Sequence, residues 1–382
     1  MFQYFHFIEI LLFIVSTLFA IGYILLLSKI IDGWDDTLDW EIPKNFKPNT
    51  KVSVIVAARN EEKSINTCIQ SILDCNYPKD MLEVIVVNDH SEDETERIVK
   101  TLDCCNLTLI NLDDVKGKKS ALEKGIGIAS GTLIACTDAD CTVSQDWLML
   151  AVSYFEENDL KCIAGPISYL CDNSILQRFQ YLDALNNMCV TANGIQKQSY
   201  YMANGANLFF TKKVFEEVGG HDLNSKLASG DDMFLIQKIS DKYPHKVAFI
   251  KTKEAIVSTL PETTLAELIN QRTRWATKSK AYTNKMIIRI QGFVFCFVVL
   301  IILSLVLSVF GSRLSLFGFL LALFIKWTID YLYLSKLADF FNDRKPLKSF
   351  IPASIGFLSY IVFAGWKALV PTKYNWKGRK VS

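Results

Sequence analysis

The chain has 382 residues, half of them hydrophobic, with a formal net charge of +1 and ten cysteines. So apolar a composition excludes an ordinary soluble protein, and so balanced a charge excludes a nucleic-acid binder built on a basic face. The cysteines show neither a C-x-x-C pair nor metal-like spacing, so free buried thiols in a reducing compartment are expected.

The apolar excess lies at the two ends. From Phe7 to Leu27 only Glu9 is charged. No Lys or Arg precedes that run, and no small-x-small site closes it, so a retained anchor is expected over a cleaved leader. Lys29, Lys44, Lys47 and Lys51 follow it, which places the N-terminus outside and the next domain in the cytoplasm.

Between about Asp32 and Lys285 lies a polar segment of roughly 250 residues, enough for one large domain. Val52 to Ala57 is a short apolar strand ending in Ala58-Arg59-Asn60-Glu61. A helix follows with Ile65, Ile69, Ile72 and Leu73 on one face. Glu83 to Val87 is a second strand, ending in Asn88-Asp89. A helix is expected to start near Ser91, capped by Ser91 with Glu94. Leu107 to Asn111 is a third strand, Lys118 to Ala129 a helix and Thr132 to Cys136 a fourth strand, ending in Thr137-Asp138-Ala139-Asp140. Strands alternating with helices predict an α/β fold with a mostly parallel sheet covered on both faces. Ligands bind beyond the carboxyl ends of such strands, so the three polar strand ends should converge on one crevice.

Two aspartates around one small residue can share a hard divalent cation, Mg²⁺ or Mn²⁺, and such a cation can hold a departing diphosphate. Gly125-Ile126-Gly127-Ile128-Ala129-Ser130-Gly131 imitates a dinucleotide loop. Its third glycine comes one residue late and its glycines close a helix, so a Rossmann dehydrogenase is rejected.

A further helix is expected from about Pro261 to Lys285. Ile290 to Phe310 is uncharged and long enough to span a bilayer. Leu314 to Ile325 continues through Lys326 and Asp330, and Phe350 to Trp366 is again uncharged. Lys336, Arg344, Lys345 and Lys348 precede that last run; Lys367, Lys373, Lys377, Arg379 and Lys380 follow it. Both clusters favour the cytoplasm, so one run is expected to be re-entrant or interfacial.

The ordered motifs resemble the membrane-anchored branch of the family 2 glycosyltransferases, of the GT-A fold. The similar segments are Val52 to Glu62, Val86 to Thr95, Gly117 to Leu122, Asp138-Ala139-Asp140, Gly205-Ala206-Asn207 with Val214 to Gly220, Gly230-Asp231-Asp232, and Gln271-Arg272-Thr273-Arg274-Trp275. The family usually has proline at Ala57, aspartate at Asn88 and glycine at His90. The resemblance implies Asp232 as catalytic base. It implies Asp138 and Asp140 as metal ligands. It implies Ala57, Arg59, Glu61, Asp89, Lys118, Asp138, Gln271, Arg274 and Trp275 as nucleotide-sugar contacts.

Each residue has a plainer reading. Asp231 or Asp232 can cap a helix, Asp138 and Asp140 can form a solvated turn, and Lys118 can be a solvated helix start. Arg272, Arg274, Lys278 and Lys280 can make a basic interfacial helix. Gln271 and Arg274 lie three apart and share a helix face.

The organisation expected is an anchor at 1–31, a cytoplasmic catalytic domain at 32–260, an interfacial helix at 261–285, membrane segments at 286–370 and a basic tail at 371–382. The function expected is an inverting, metal-dependent transferase in a membrane of the bacterial inner-membrane kind, using a UDP-sugar and a lipid acceptor. The tail Tyr374 to Lys380 resembles that of ceramide-glucosyltransferase-like enzymes. A processive polysaccharide synthase acting on a glycan, and a non-catalytic nucleotide-sugar-binding subunit, are the alternatives.

Overall fold

In the computed structural model, residues 2–113, 116–172, 174–221, 231–278, 284–369, 374–376 and 379–381 are described. They divide into two compact units. One gathers residues 1–35, 171–189 and 263–372, and the other gathers 36–170, 190–262 and 373–382.

The second unit is built on strands β1 (Val52–Ala58), β2 (Leu82–Asn88), β3 (Leu107–Asn111), β4 (Leu133–Asp138), β5 (Cys162–Ala164), β7 (Leu208–Thr211) and β8 (Val247–Phe249). They form one seven-stranded sheet in the order β3-β2-β1-β4-β7-β5-β8. All neighbours are parallel except β7, which runs antiparallel to β4 and β5. β1, β2 and β4 are mostly apolar and almost wholly buried because both faces are covered. Short strands β6 (Ile167–Tyr169) and β9 (Val257–Thr259) pair in parallel, and β10 (Tyr374–Trp376) and β11 (Arg379–Val381) pair antiparallel.

Helices α2 (Ile65–Leu73), α3 (Thr95–Thr101), α4 (Lys118–Ile128), α5 (Trp147–Glu157), α7 (Lys212–Glu217) and α8 (Asp231–Lys242) complete this unit. α2 buries Ile65, Cys68, Ile69 and Ile72; Leu73 is only half-buried. Gly125 to Ile128 close α4, and Gly131 lies beyond it. A Cβ on Gly125 would stand 2.7 Å from Ile55 Cγ2, so this glycine lets α4 lie close on β1.

The capping box expected from Ser91 and Glu94 does not form. α3 starts later, at Thr95, and Ser91 Oγ instead accepts the Asn60 N–H at 3.0 Å. The Glu94 N–H goes to Glu62 Oε2 at 3.2 Å. Ser91 Oγ thus ties two strand-end loops together, while the Glu94 carboxylate pairs with Arg97 of α3.

Helix α6 (Ile175–Gln196) runs from one unit into the other. The first unit contains α1 (Phe2–Asp36), α9 (Leu265–Lys278), α10 (Lys285–Val309), α11 (Arg313–Phe340) and α12 (Phe350–Leu369). Among the described residues, four helices are long and apolar enough to cross a membrane: α1, α10, α11 and the one ending near Lys367. Lys326 and Asp330 are accommodated in α11 by pairing with each other, and Tyr23 of α1 donates to Asp330 at 2.6 Å. The helix expected over 261–285 is shorter and separate from α10. A capping box starts it: the Thr264 N–H reaches Glu267 Oε2 at 3.0 Å and the Glu267 N–H reaches Thr264 Oγ1 at 3.2 Å.

Candidate active site

Three parallel strand ends of the sheet unit lie side by side. Ala57 is level with Asp138 across one ladder, and Ala58 with Asn88 across the other. Asp138 is the last residue of β4 rather than a loop residue, because Thr137 is buried and stays in the strand. Asp140 follows in the turn, part-exposed like Asp138.

Lys118 starts α4 behind Gly117, whose φ of +117° suits glycine. Its ammonium contacts Asp138 Oδ1 directly. A Cβ on Gly205 would lie 3.8 Å from Lys118 Nζ and 3.7 Å from Asp232 Oδ2, so Gly205 stands between the two. The Gly205 N–H donates to Asp232 Oδ2 at 2.9 Å, and the Met233 N–H donates to Asp232 Oδ1 at 2.8 Å. Burial pushes the Cys136 thiol up to about 12, with Lys118 opposing and Asp138 and Asp232 adding to the shift. One sulfur feels all three charges because they meet above the end of β4. Burial raises the Cys68 and Cys141 thiols too, with Asp140 and Asp138 next in effect. Gly230 lies outside the described residues, as does the side chain of Asp231.

Arg59 is 6% exposed, which puts it inside the loop rather than at its mouth. It donates to Asp89 O at 2.9 Å and His90 O at 2.6 Å and pairs with Glu92 at 3.1 Å. The Glu61 N–H donates to Thr95 Oγ1 at 2.7 Å. Asp89 is buried; its Oδ2 accepts the Gly117 N–H at 3.0 Å and its Oδ1 lies 3.2 Å from His90 Nδ1. These contacts hold the β1, β2 and α4 loops in one frame. Asn88 is engaged with Asn111 Oδ1 at 2.8 Å.

Gln271, Arg274 and Trp275 are half-buried on α9, in the other unit. The side chain of Lys278, together with Lys280, Lys377 and Gly378, lies outside the described residues.

Asn207 has a role its motif did not announce. It is fully buried, donates to Pro166 O and Ala255 O at 2.8 Å each, and accepts the Trp147 Nε1–H at 3.0 Å. It fixes the strand that follows Gly205. His221 also went unread. It is buried edge-on against Phe215, and burial with the charges of Lys119 and Lys238 lowers its pKa to about 4, against the pull of Asp232.

Carboxylates at the ends of a mostly parallel sheet, with helices on both faces, define a GT-A fold. Residues 53–219 match the family described as Glycosyl transferase family 2. The chain is 30% identical to "Glycosyltransferase AglE" of Haloferax volcanii over 50% of its length and 61% of the relative's. It is 30% identical to "Probable glycosyltransferase YdaM" of Bacillus subtilis over 49% and 47%. It is 25% identical to a "Poly-beta-1,6-N-acetyl-D-glucosamine synthase" of Staphylococcus epidermidis over 59% and 53%. The matches thus span about half the length of these curated relatives. The fold resembles the mannosyltransferase PcManGT from Pyrobaculum calidifontis, solved with GDP-Man and Mn²⁺. That likeness has a TM-score of 0.55 and 18% identity and covers 96% of this chain and 99% of the other.

Proposed function

We propose that the protein is a membrane-bound, metal-dependent, inverting glycosyltransferase that moves a sugar from a UDP-sugar to a lipid acceptor, with its catalytic domain in the cytoplasm. The observation that carries this reading is the meeting of Asp232, Lys118 and Asp138 about Gly205. A base, a cation for phosphate and a cation-binding carboxylate at one strand end are the parts that such a transfer needs.

In this scheme Asp232 takes the proton of the acceptor hydroxyl. The acceptor oxygen forms a bond to the anomeric carbon as the bond from that carbon to the diphosphate breaks. The electron pair leaves with the diphosphate and the anomeric configuration inverts. Lys118 is placed to take charge from the departing phosphate. Asp138 and Asp140 fit a hard divalent cation by donor type: both offer carboxylate oxygen, and Asp138 already draws the Lys118 ammonium. Asp138 and Asp140 would be the residues that hold such a cation. A bound Mg²⁺ or Mn²⁺ supplies charge neutralisation on the diphosphate. Arg59, Glu61 and Asp89 frame the nucleotide loop, with Ala57 in its floor. Gln271, Arg274 and Trp275 are assigned to the donor on resemblance.

A processive synthase acting on a growing glycan is the second reading, favoured by the poly-N-acetylglucosamine synthase among the relatives. The test is a donor panel with detergent-extracted full chain, Mn²⁺ or Mg²⁺, and membrane lipid as acceptor. Release of UDP with a sugar-bearing lipid product is expected. Absence of release from every donor removes the transferase reading and leaves a nucleotide-sugar-binding subunit.

A further inference from the structure

Arg272 occupies a core position on an otherwise polar helix. Leu268, Arg272 and Trp275 follow one another at i, i+4 and i+7, so they share a stripe of α9. Leu268 is 5% exposed and Arg272 only 2%. A leucine there would be the ordinary choice. The guanidinium instead pairs with Asp183 of α6 at 2.5 Å, itself 5% exposed. Its Cζ lies 4.3 Å from the centre of the Trp275 ring and 5.3 Å from that of Tyr360 on α12.

A buried ion pair is a poor means of stabilising a fold, because desolvating both charges offsets their attraction and an apolar pair of equal volume does as well. What it supplies is orientation. A guanidinium is flat, so the ion pair with Asp183 and the nearby faces of two rings together restrict it in a way that a compact ammonium would not be restricted. A lysine ammonium has no plane to offer. Trp275 is only half-buried, so part of its surface stays accessible beside the guanidinium.

We infer that Arg272, fixed by Asp183 and Tyr360, is a positioning residue that sets the orientation of Trp275 on α9. The inference rests on the transferase reading. It adds residues of α6 and α12 to a motif otherwise confined to α9.

The test is a double-mutant cycle on the detergent-purified full chain. Arg272→Lys keeps the charge and removes the plate; Trp275→Phe removes the indole. Arg272→Lys should lower kcat/KM for the donor about tenfold in the native background and leave it nearly unchanged in the Trp275→Phe background. Losses that multiply across the two changes would mean that Arg272 merely supports the fold, and would overturn the inference. Asp183→Asn, which keeps the shape, should repeat the pattern more weakly and carries the test if Arg272→Lys fails to accumulate. A second readout needs no turnover. Acrylamide quenching of the emission lost on Trp275→Phe should rise in Arg272→Lys, because the indole loses its cover. Unchanged quenching in both variants would refute the clamp even in an active enzyme. If the native chain transfers no sugar, quenching still decides the clamp while the transferase reading fails separately.

Discussion

The main-chain N–H of Gly205 holds Asp232 Oδ2 at 2.9 Å, so a residue between sheet strands fixes the carboxylate at the start of α8. Asp232→Asn keeps the shape of the side chain and removes the base. Transfer should fall by about 10²–10⁴ while nucleotide affinity stays within a few-fold. Turnover at half the native rate would show that another group takes the proton. Gly205→Ala is expected to be mild, since its Cβ would meet Asp232 Oδ2 at an ordinary 3.7 Å. Gly205→Pro deletes the N–H donor and should cost about 10²-fold through misplacement of the carboxylate.

Asp138→Ala and Asp140→Ala should each cut both transfer and Mn²⁺-dependent nucleotide binding, because a cation that bridges carboxylate and diphosphate serves both. EDTA should act likewise on the native chain, with recovery on adding Mn²⁺ or Mg²⁺. Full turnover in chelator removes the cation from the scheme.

His221 predicts an acid-sensitive fold. Its pKa falls from 6.5 to about 4, with burial the largest cause. The unfolded chain therefore binds a proton over that window that the folded chain refuses. Stability from this group is intact above pH 6.5 and erodes as pH falls, by about 3 kcal/mol at pH 4. His221→Phe keeps a ring against Phe215 and removes the titration. The thermal midpoint of this variant should fall less than that of the native chain between roughly pH 7 and pH 5. Equal slopes would place the acid sensitivity elsewhere.

The sheet was legible where burial is uniform. Val52 to Ala57 and Glu83 to Val87 read as strands from their short apolar runs and polar ends, and those ends lie beside Asp138. The antiparallel β7 was not legible, because four residues of Leu-Phe-Phe-Thr fit a helix as well as a strand. Nor was α6, which buries Gln180, Asp183, Thr191 and Asn193 among its apolar residues and so shows no one-sided stripe. Ser91 and Glu94 had the spacing of a cap, yet an inter-loop contact took the Ser91 hydroxyl and Arg97 took the Glu94 carboxylate, while the box at Thr264 and Glu267 left no comparable notice. In the site, carboxylates and Lys118 leave a trace in sequence. The Gly205 N–H does not, since a main-chain donor has no residue signature.

The proposed topology can be read by cysteine labelling. Cys105 is exposed and Cys104 half-buried, both in the sheet unit. In intact cells both should be protected from an impermeant thiol reagent, and Cys105 should react after permeabilisation. Labelling of Cys105 before permeabilisation would reverse the topology and place the site outside.

The acceptor is expected to be a lipid rather than a growing polymer. A channel for a polysaccharide needs enough helices to surround the strand, and the described residues offer four of sufficient length and apolarity. A thin wall of that kind suits a substrate that enters sideways from the bilayer. Juxtamembrane basic residues such as Lys345 and Lys348 would draw anionic headgroups to the surface on which they lie. The opposing consideration is the Gln271 to Trp275 motif, which polymerising synthases also resemble. Mass analysis of the products separates the two. One or two sugars on an extractable lipid are expected, and a ladder of many sugars on one acceptor would establish a processive synthase instead.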